Sequence, residues 1–250
     1  MKNRESHFTE VLMARRENKE QAIEDKWTFD YTKPGGPHAY EVTFQEIIDQ
    51  PWKDFLIEQK EKQGSTAGLD FMGGGSCFDN LPIDKKLAIR LLDKIAKGLY
   101  KPLLRNKLNE VEVIEGDVLS KNTWRKVSAW SEKETQGRGF DLILSRPIGG
   151  LMEAIPRNID VHYFLIEKLW ELLNKDNGIL YTQLPVIAGI PHKENLLEKK
   201  IKAWVQILAE INNFGAKFSN NEGLPGIHDV NSVLRLRKTP NSLLKLPTLE

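Results

Sequence analysis

The sequence predicts a doubly wound α/β fold: a mostly parallel seven-stranded sheet ending in an antiparallel C-terminal hairpin, preceded by a helical N-terminal extension. Three observations predict it. Short apolar runs of about four to eight residues recur from Ala67 to Leu236 without strict alternation, the pattern of strands buried on both faces. Amphipathic stretches separate them, and repeated strand–helix alternation implies right-handed crossovers between parallel strands. The last two runs are joined by Ser219–Asn231, rich in Gly and Asn and without a helix signal, so they form a hairpin.

Taken in order, Met1–Lys26 reads as a polar helix with Phe8, Val11 and Leu12 at helical spacing, and Lys33–His38 as a loop, because its prolines and glycines resist helix. A helix starts at Pro51 and places Trp52, Phe55, Leu56 and Gln59 on one face. The expected strands are Ala67–Met72, Leu87–Leu92, Val111–Ile114, Phe140–Leu144, Ile179–Val186, Ala216–Phe218 and Val233–Leu236. Asp160 is placed to cap a helix carrying Val161, Phe164, Leu165, Leu169, Leu172 and Leu173 at a 3.6 period, which Asp176-Asn177-Gly178 ends. A further stripe runs Leu197, Ile201, Trp204, Val205, Leu208, Ile211. This divides the chain into a helical extension or cap (1–63), an α/β domain (64–239) and an extended tail (240–250).

Composition narrows the function. The 250 residues carry 36 Lys+Arg against 35 Asp+Glu, a balance that gives no global reason to expect nucleic acid or a membrane surface. The single cysteine, Cys77, excludes an internal disulfide and suits a reducing compartment, so a cytoplasmic location is expected. No apolar run nears the roughly 20 residues that span a bilayer, and the first 26 residues lack the apolar core of a secretory signal. No metal-ligand spacing appears. Lys85, Lys86, Arg90, Lys94, Lys97, Lys101, Arg105 and Lys107 form a basic stretch that reads as a solvated face; with Tyr100 its one aromatic, nucleic acid is not favoured.

Open α/β sheets bind ligands at the carboxyl ends of their strands, so the residues just past each strand are the informative ones. The first strand ends in Asp70-Phe-Met-Gly-Gly-Gly-Ser76, where glycines let the backbone approach a ligand. Asp93 follows the second strand, spaced from Asp70 by one β–loop–helix–β passage, where a carboxylate can accept two ribose hydroxyls. Glu115-Gly-Asp117-Val118 follows the third and Ser145-Arg-Pro-Ile-Gly-Gly150 the fourth.

From Gly68 to Lys238 these residues resemble the class I S-adenosylmethionine-dependent methyltransferases, a Rossmann-like family. The resemblance implies S-adenosylmethionine as cofactor, held by Asp70, Gly73, Gly74 and Gly75 at the turn, by Asp93 at the ribose, by Asp117 at the adenine amino group and by the Val118 N–H at the ring. It places Ser145, Arg146 and Pro147 beside the methyl-transfer site. The chain departs from the family's acid-x-Gly-x-Gly-x-Gly turn, with Met72 and Ser76 at the outer positions. Ser145-Arg146-Pro147-Ile148 lacks the aromatic platform of base methylases. Arg146 instead suits an anionic small molecule as acceptor, through bidentate contact. Two alternatives are a noncatalytic methyltransferase-like binding or scaffold protein and a nicotinamide-dependent dehydrogenase. The second lacks Gly-x-Gly-x-x-Gly. The acceptor's identity and the oligomeric state are not legible.

Overall fold

The computed structural model describes residues 37–73, 75–90, 110–116, 118–146, 159–184, 196–211, 214–221 and 231–248. The elements are α1 (Pro37–Phe44), α2 (Trp52–Gln63), β1 (Ala67–Phe71), β2 (Lys85–Arg90), β3 (Glu112–Glu115), α3 (Lys121–Thr135), β4 (Leu142–Ser145), α4 (Ile159–Leu172), β5 (Ile179–Leu184), α5 (Leu196–Glu210), β6 (Lys217–Asn221) and β7 (Asn231–Arg237). Short 3-10 turns occupy Gln45–Ile47 and Ser76–Phe78. One seven-stranded sheet has the order β3-β2-β1-β4-β5-β7-β6. Strands β1 to β5 pair in parallel, and β7 runs antiparallel to both neighbours. The expected fold class is therefore the observed one.

Strand alternation sorts the core into two layers. On one face Leu69, Phe71, Leu87, Ile89, Ile143, Leu180, Leu234 and Leu236 pack against α3, α4 and α5. On the other, Leu142, Leu144, Ile179, Tyr181 and Val233 meet Tyr40, Phe44, Trp52, Phe55 and Leu56 of α1 and α2. The described part of the N-terminal extension is thus the second layer of the sandwich around the sheet. Tyr181 is the hub, with ring centroids 5.6 Å from Phe44 and 5.4 Å from Trp52.

Several elements differ from their sequence expectation. Pro37 and His38 are not loop but the first turn of α1; proline at the first helical position forfeits only an N–H that has no helical partner there. β2 starts two residues before Leu87, because Lys85 and Lys86 pair with Ala67 and Gly68 while their ammonium groups reach Glu134 and Glu110. Phe140 makes only an isolated bridge to Leu173, and the β4 ladder begins at Leu142. Asp160 lies inside the first turn of α4, where a carboxylate still favours the positive end of the helix dipole. Ile211 is exposed, although Trp204, Val205 and Leu208 of its stripe are buried. Met1–Lys26, and the basic stretch from Lys94 to Lys107, lie outside the described residues.

The tail is tied down rather than simply extended. The Trp170 and Trp204 indole N–H groups donate to the carbonyls of Leu243 and Pro247, the Tyr163 hydroxyl donates to that of Leu246, and the Leu246 side chain is buried. At the amino edge of the sheet, Asp141 accepts from Ala67 N, Gln63 and Asn174 (2.7–2.8 Å), and Arg138 donates to Gln63 and Ser65. This network locks the starts of β1 and β4 together, on the side of the sheet away from the glycine turn. Among the described residues, no helix is long and apolar enough to cross a membrane.

Candidate functional site

The strand order reverses between β1 and β4, and ligands of open α/β sheets bind in the crevice outside such a switch point. Register aligns the strand ends there: Phe71 pairs with Ile89 on one side and Ser145 on the other, and Ser145 pairs with Thr182. The glycine turn leaves β1 at this edge. It leads into the 3-10 turn Ser76–Phe78 rather than a full helix, consistent with Pro82 close behind.

Asp70 is fully buried on the face covered by α1. Its Oδ1 accepts from the Tyr40 hydroxyl at 3.1 Å and its Oδ2 from Gly75 N at 2.7 Å. The Cys77 thiol also hydrogen-bonds it. Burial pushes the carboxyl up to about 6, against the pull of the Gly75, Cys77 and Tyr40 hydrogen bonds. Burial and the neighbouring Asp70 charge push the Tyr40 phenol and the Cys77 thiol well above their ordinary values. Asp70 therefore organises the turn from beneath.

The turn's backbone requires small residues at two points. A Cβ at Gly73 would stand 2.1 Å from Asp70 Oδ2, and one at Gly75, where φ is +82°, would meet Val111 Cγ1 at 2.6 Å. Met72, at an outer position of the family's glycine pattern, has φ +64°. Its side chain is buried in the α3–α5 layer, so the bulky residue is turned away from the crevice rather than into it. Its N–H donates to Ile89 O, tying the turn to β2.

Past β3, Val118 is buried and its carbonyl accepts the Trp124 indole N–H at 2.7 Å. The Trp124 ring stacks on Phe71, with centroids 5.9 Å apart. A Cβ at Gly116 would collide with Thr123 Oγ1 at 2.4 Å, so this glycine lets α3 start close against the strand end. The N-cap Ser120 starts that helix by accepting from Asn122 N.

Past β4, Ser145 is buried and Arg146 is half-buried. Arg146 Nε donates to Thr43 Oγ1 at 2.6 Å, and the guanidinium lies over the Tyr40 ring, 5.5 Å from its centroid. Burial pulls its pKa down, opposed by Tyr40. No described carboxylate forms an ion pair with it. Among the described residues, Arg146 is thus a half-buried cation that joins the β4 edge to α1.

The structure brings together Asp70, Gly73, Gly75, Ser145 and Arg146, with Val118 past β3, two strands out from β1. Gly74, Asp93, Asp117 and Pro147 lie outside the described residues. Sequence reasoning missed Tyr40 and Thr43. No local signal marks them, because a tyrosine and a threonine after a Pro-Gly-Gly-Pro loop point nowhere until α1 docks. Among the described residues, no group of three His, Cys, Asp or Glu is placed to hold a metal.

No family model matches the chain, and no curated protein matches it significantly. Solved structures do resemble it. The plantazolicin methyltransferase BpumL, in complex with SAH, is 15% identical with a TM-score of 0.45, over 94% of this chain and 99% of that one. A putative O-methyltransferase from Klebsiella pneumoniae is 14% identical with a TM-score of 0.44, over 86% and 94%. The N-methyltransferase NodS from Bradyrhizobium japonicum WM9 is 14% identical with a TM-score of 0.42, over 74% and 92%.

Proposed function

We propose that the protein is an S-adenosylmethionine-dependent methyltransferase. The observation that carries the reading is β7, antiparallel and inserted between β5 and β6, in a sheet whose first strand ends in a glycine turn at the β1/β4 switch point. An all-parallel 3-2-1-4-5-6 order is the dinucleotide-binding arrangement, so the inserted strand favours the methyltransferase resemblance over a dehydrogenase. The described residues are compatible with the cofactor: Gly73 and Gly75 let the turn pack tightly against Asp70 and Val111, and Met72 is buried in the core rather than in the crevice.

When bound, S-adenosylmethionine supplies an already activated methyl group, so the protein's task is alignment and exclusion of water. In this reading Asp70 fixes the turn, Asp93 and Asp117 hold the ribose and adenine amino groups, and the turn backbone receives the remainder. The acceptor lies beside Ser145, Arg146 and Pro147. Arg146 supports an anionic small molecule, because its half-buried charge is not neutralised by any described acid and its position is fixed by Thr43. A cytoplasmic location remains part of the same proposal.

Calorimetry with S-adenosylhomocysteine and NAD tests the cofactor class: binding of the first and not the second is expected, and the reverse sinks the assignment. Methyl-transfer assays against an anionic metabolite panel, with bulk RNA and protein alongside, test the acceptor. Arg146→Ala is expected to lower acceptor turnover at least tenfold, the effect of losing one charge-assisted contact, with cofactor affinity nearly intact. Loss of cofactor affinity would instead put Arg146 on the cofactor's own carboxylate.

A further inference from the structure

The methyltransferase reading gives α1 no role, yet α1 supplies two of the polar contacts closest to the glycine turn. Tyr40 reaches Asp70 across 30 residues of sequence, and Arg146 reaches Thr43 across 103. The first contact matters more for a ligand, because the same carboxylate holds Gly75 N. With Oδ1 fixed by the Tyr40 hydroxyl, the carboxyl plane is set and Oδ2 stays on the turn.

Gly73 makes this arrangement tight. Its backbone lies so close to the carboxylate that a methyl group there would overlap both oxygens, at 2.1 and 2.2 Å. A rotation of the Asp70 side chain therefore breaks its bond to Gly75 N, the contact that ties the turn to the carboxylate. The Arg146 guanidinium in turn lies over the Tyr40 ring.

We propose that Tyr40 is a positioning residue for the cofactor turn: through Asp70 it keeps the backbone at Gly73 and Gly75 in its ligand-receiving shape, making α1 and the turn one unit. This rests on the methyltransferase reading for the ligand, but the relay itself belongs to the ligand-free protein. Among the described residues, the titratable groups facing the carboxylate are Tyr40 from α1 and Cys77 from the 3-10 turn. Arg146 past β4 lies beyond Tyr40, and Asp79 lies beyond Cys77. An ionised Asp70 accepts from Tyr40 and Gly75 together. Protonation places a hydrogen on one of those oxygens and weakens one of the two bonds.

The test measures S-adenosylhomocysteine affinity by calorimetry between pH 5 and 8 for wild type, Tyr40→Phe, Asp70→Asn and the double variant. Tyr40→Phe keeps the ring and removes only the hydroxyl. Expected are a wild-type affinity that weakens as pH falls through about 6, and a Tyr40→Phe affinity about tenfold weaker at pH 7, the scale of one hydrogen bond to a charged group. The Tyr40→Phe midpoint should lie at higher pH, because a donor that favoured the ionised form is gone. In the Asp70→Asn background, Tyr40→Phe should add little and no midpoint should remain. An unchanged midpoint with affinity within twofold of wild type overturns the proposal, as does an undiminished loss in the Asp70→Asn background. Should wild type bind no S-adenosylhomocysteine, the functional reading fails and the relay is judged on hydrogen exchange in the ligand-free protein. There, the protection of peptide 71–78 must fall in Tyr40→Phe only while Asp70 is present, or the relay is wrong.

Discussion

Gly73 and Met72 sit side by side in the turn and meet opposite constraints. Gly73 needs the absence of a side chain, because a methyl group would enter the Asp70 carboxylate, which Tyr40 and Gly75 hold in place. Gly73→Ala is expected to destabilise the fold by about 1–3 kcal/mol, the range of overpacking, and to weaken S-adenosylhomocysteine binding at least tenfold. Denaturant titration and calorimetry check the two halves separately. At Met72 the left-handed backbone is one that glycine adopts freely, and it costs a non-glycine residue about 1–3 kcal/mol. The buried side chain outweighs that cost, since removing a core methionine typically loses about 2–5 kcal/mol. Met72→Gly should therefore destabilise rather than stabilise, by about 1–2 kcal/mol in denaturant titration. That Met72 breaks the family's glycine pattern is legible in the sequence. That its side chain turns into the core is not, because the direction depends on which layer lies behind the strand.

At the scale of elements, α2 and α1 show what local pattern does and does not carry. The Trp52, Phe55, Leu56, Gln59 spacing gives α2 and its buried face directly, and all four are buried as expected. α1 has Tyr40, Thr43, Phe44 and Ile47 near it in buried positions, but the Pro-Gly-Gly-Pro stretch conceals its start. The strands were legible because apolar runs mark them; their ends shifted where ladder pairing extended past the apolar residues, as at Lys85 and Lys86. The site was half legible for the same reason. Strand-end residues announce themselves, whereas Tyr40 and Thr43 arrive from a distant helix. If α1 is part of the core, Phe44 is as costly to remove as any central residue: it has no exposed surface and its ring meets Trp52 and Tyr181. Phe44→Ala should cost about 3–5 kcal/mol in urea titration. A loss below about 1 kcal/mol would make α1 a peripheral attachment.

For the whole molecule, buried and surface carboxylates pull the pH dependence of stability in opposite directions. Asp70 and Asp141 are raised in the folded state, mainly by burial, so the native protein binds their protons at a pH where the unfolded chain does not. Their contribution to stability therefore rises as pH falls, for Asp70 through about 6 toward its unfolded value of 3.8. Asp49 and Asp84 are lowered, by their bonds to Lys217 and Arg235 and to Lys60 and Thr66. Their contribution is present above the unfolded value and is lost as pH falls below it. The sum of these four groups predicts maximal stability near their unfolded value, about pH 4, with decline on both sides. At one pKa unit to about 1.4 kcal/mol, Asp70 alone accounts for up to about 3 kcal/mol between pH 7 and its unfolded range. Urea titrations from pH 4 to 8 should show the rise, and Asp70→Asn should flatten its neutral-to-acid limb. A wild-type profile flat from pH 7 to 5 would mean that Asp70 does not titrate near 6. The arrangement that destabilises the fold at neutral pH is the one that keeps an ionised acceptor under the glycine turn. The protein would then be most stable at a pH where its turn is least well held, a consequence of burying one carboxylate beneath the glycine turn.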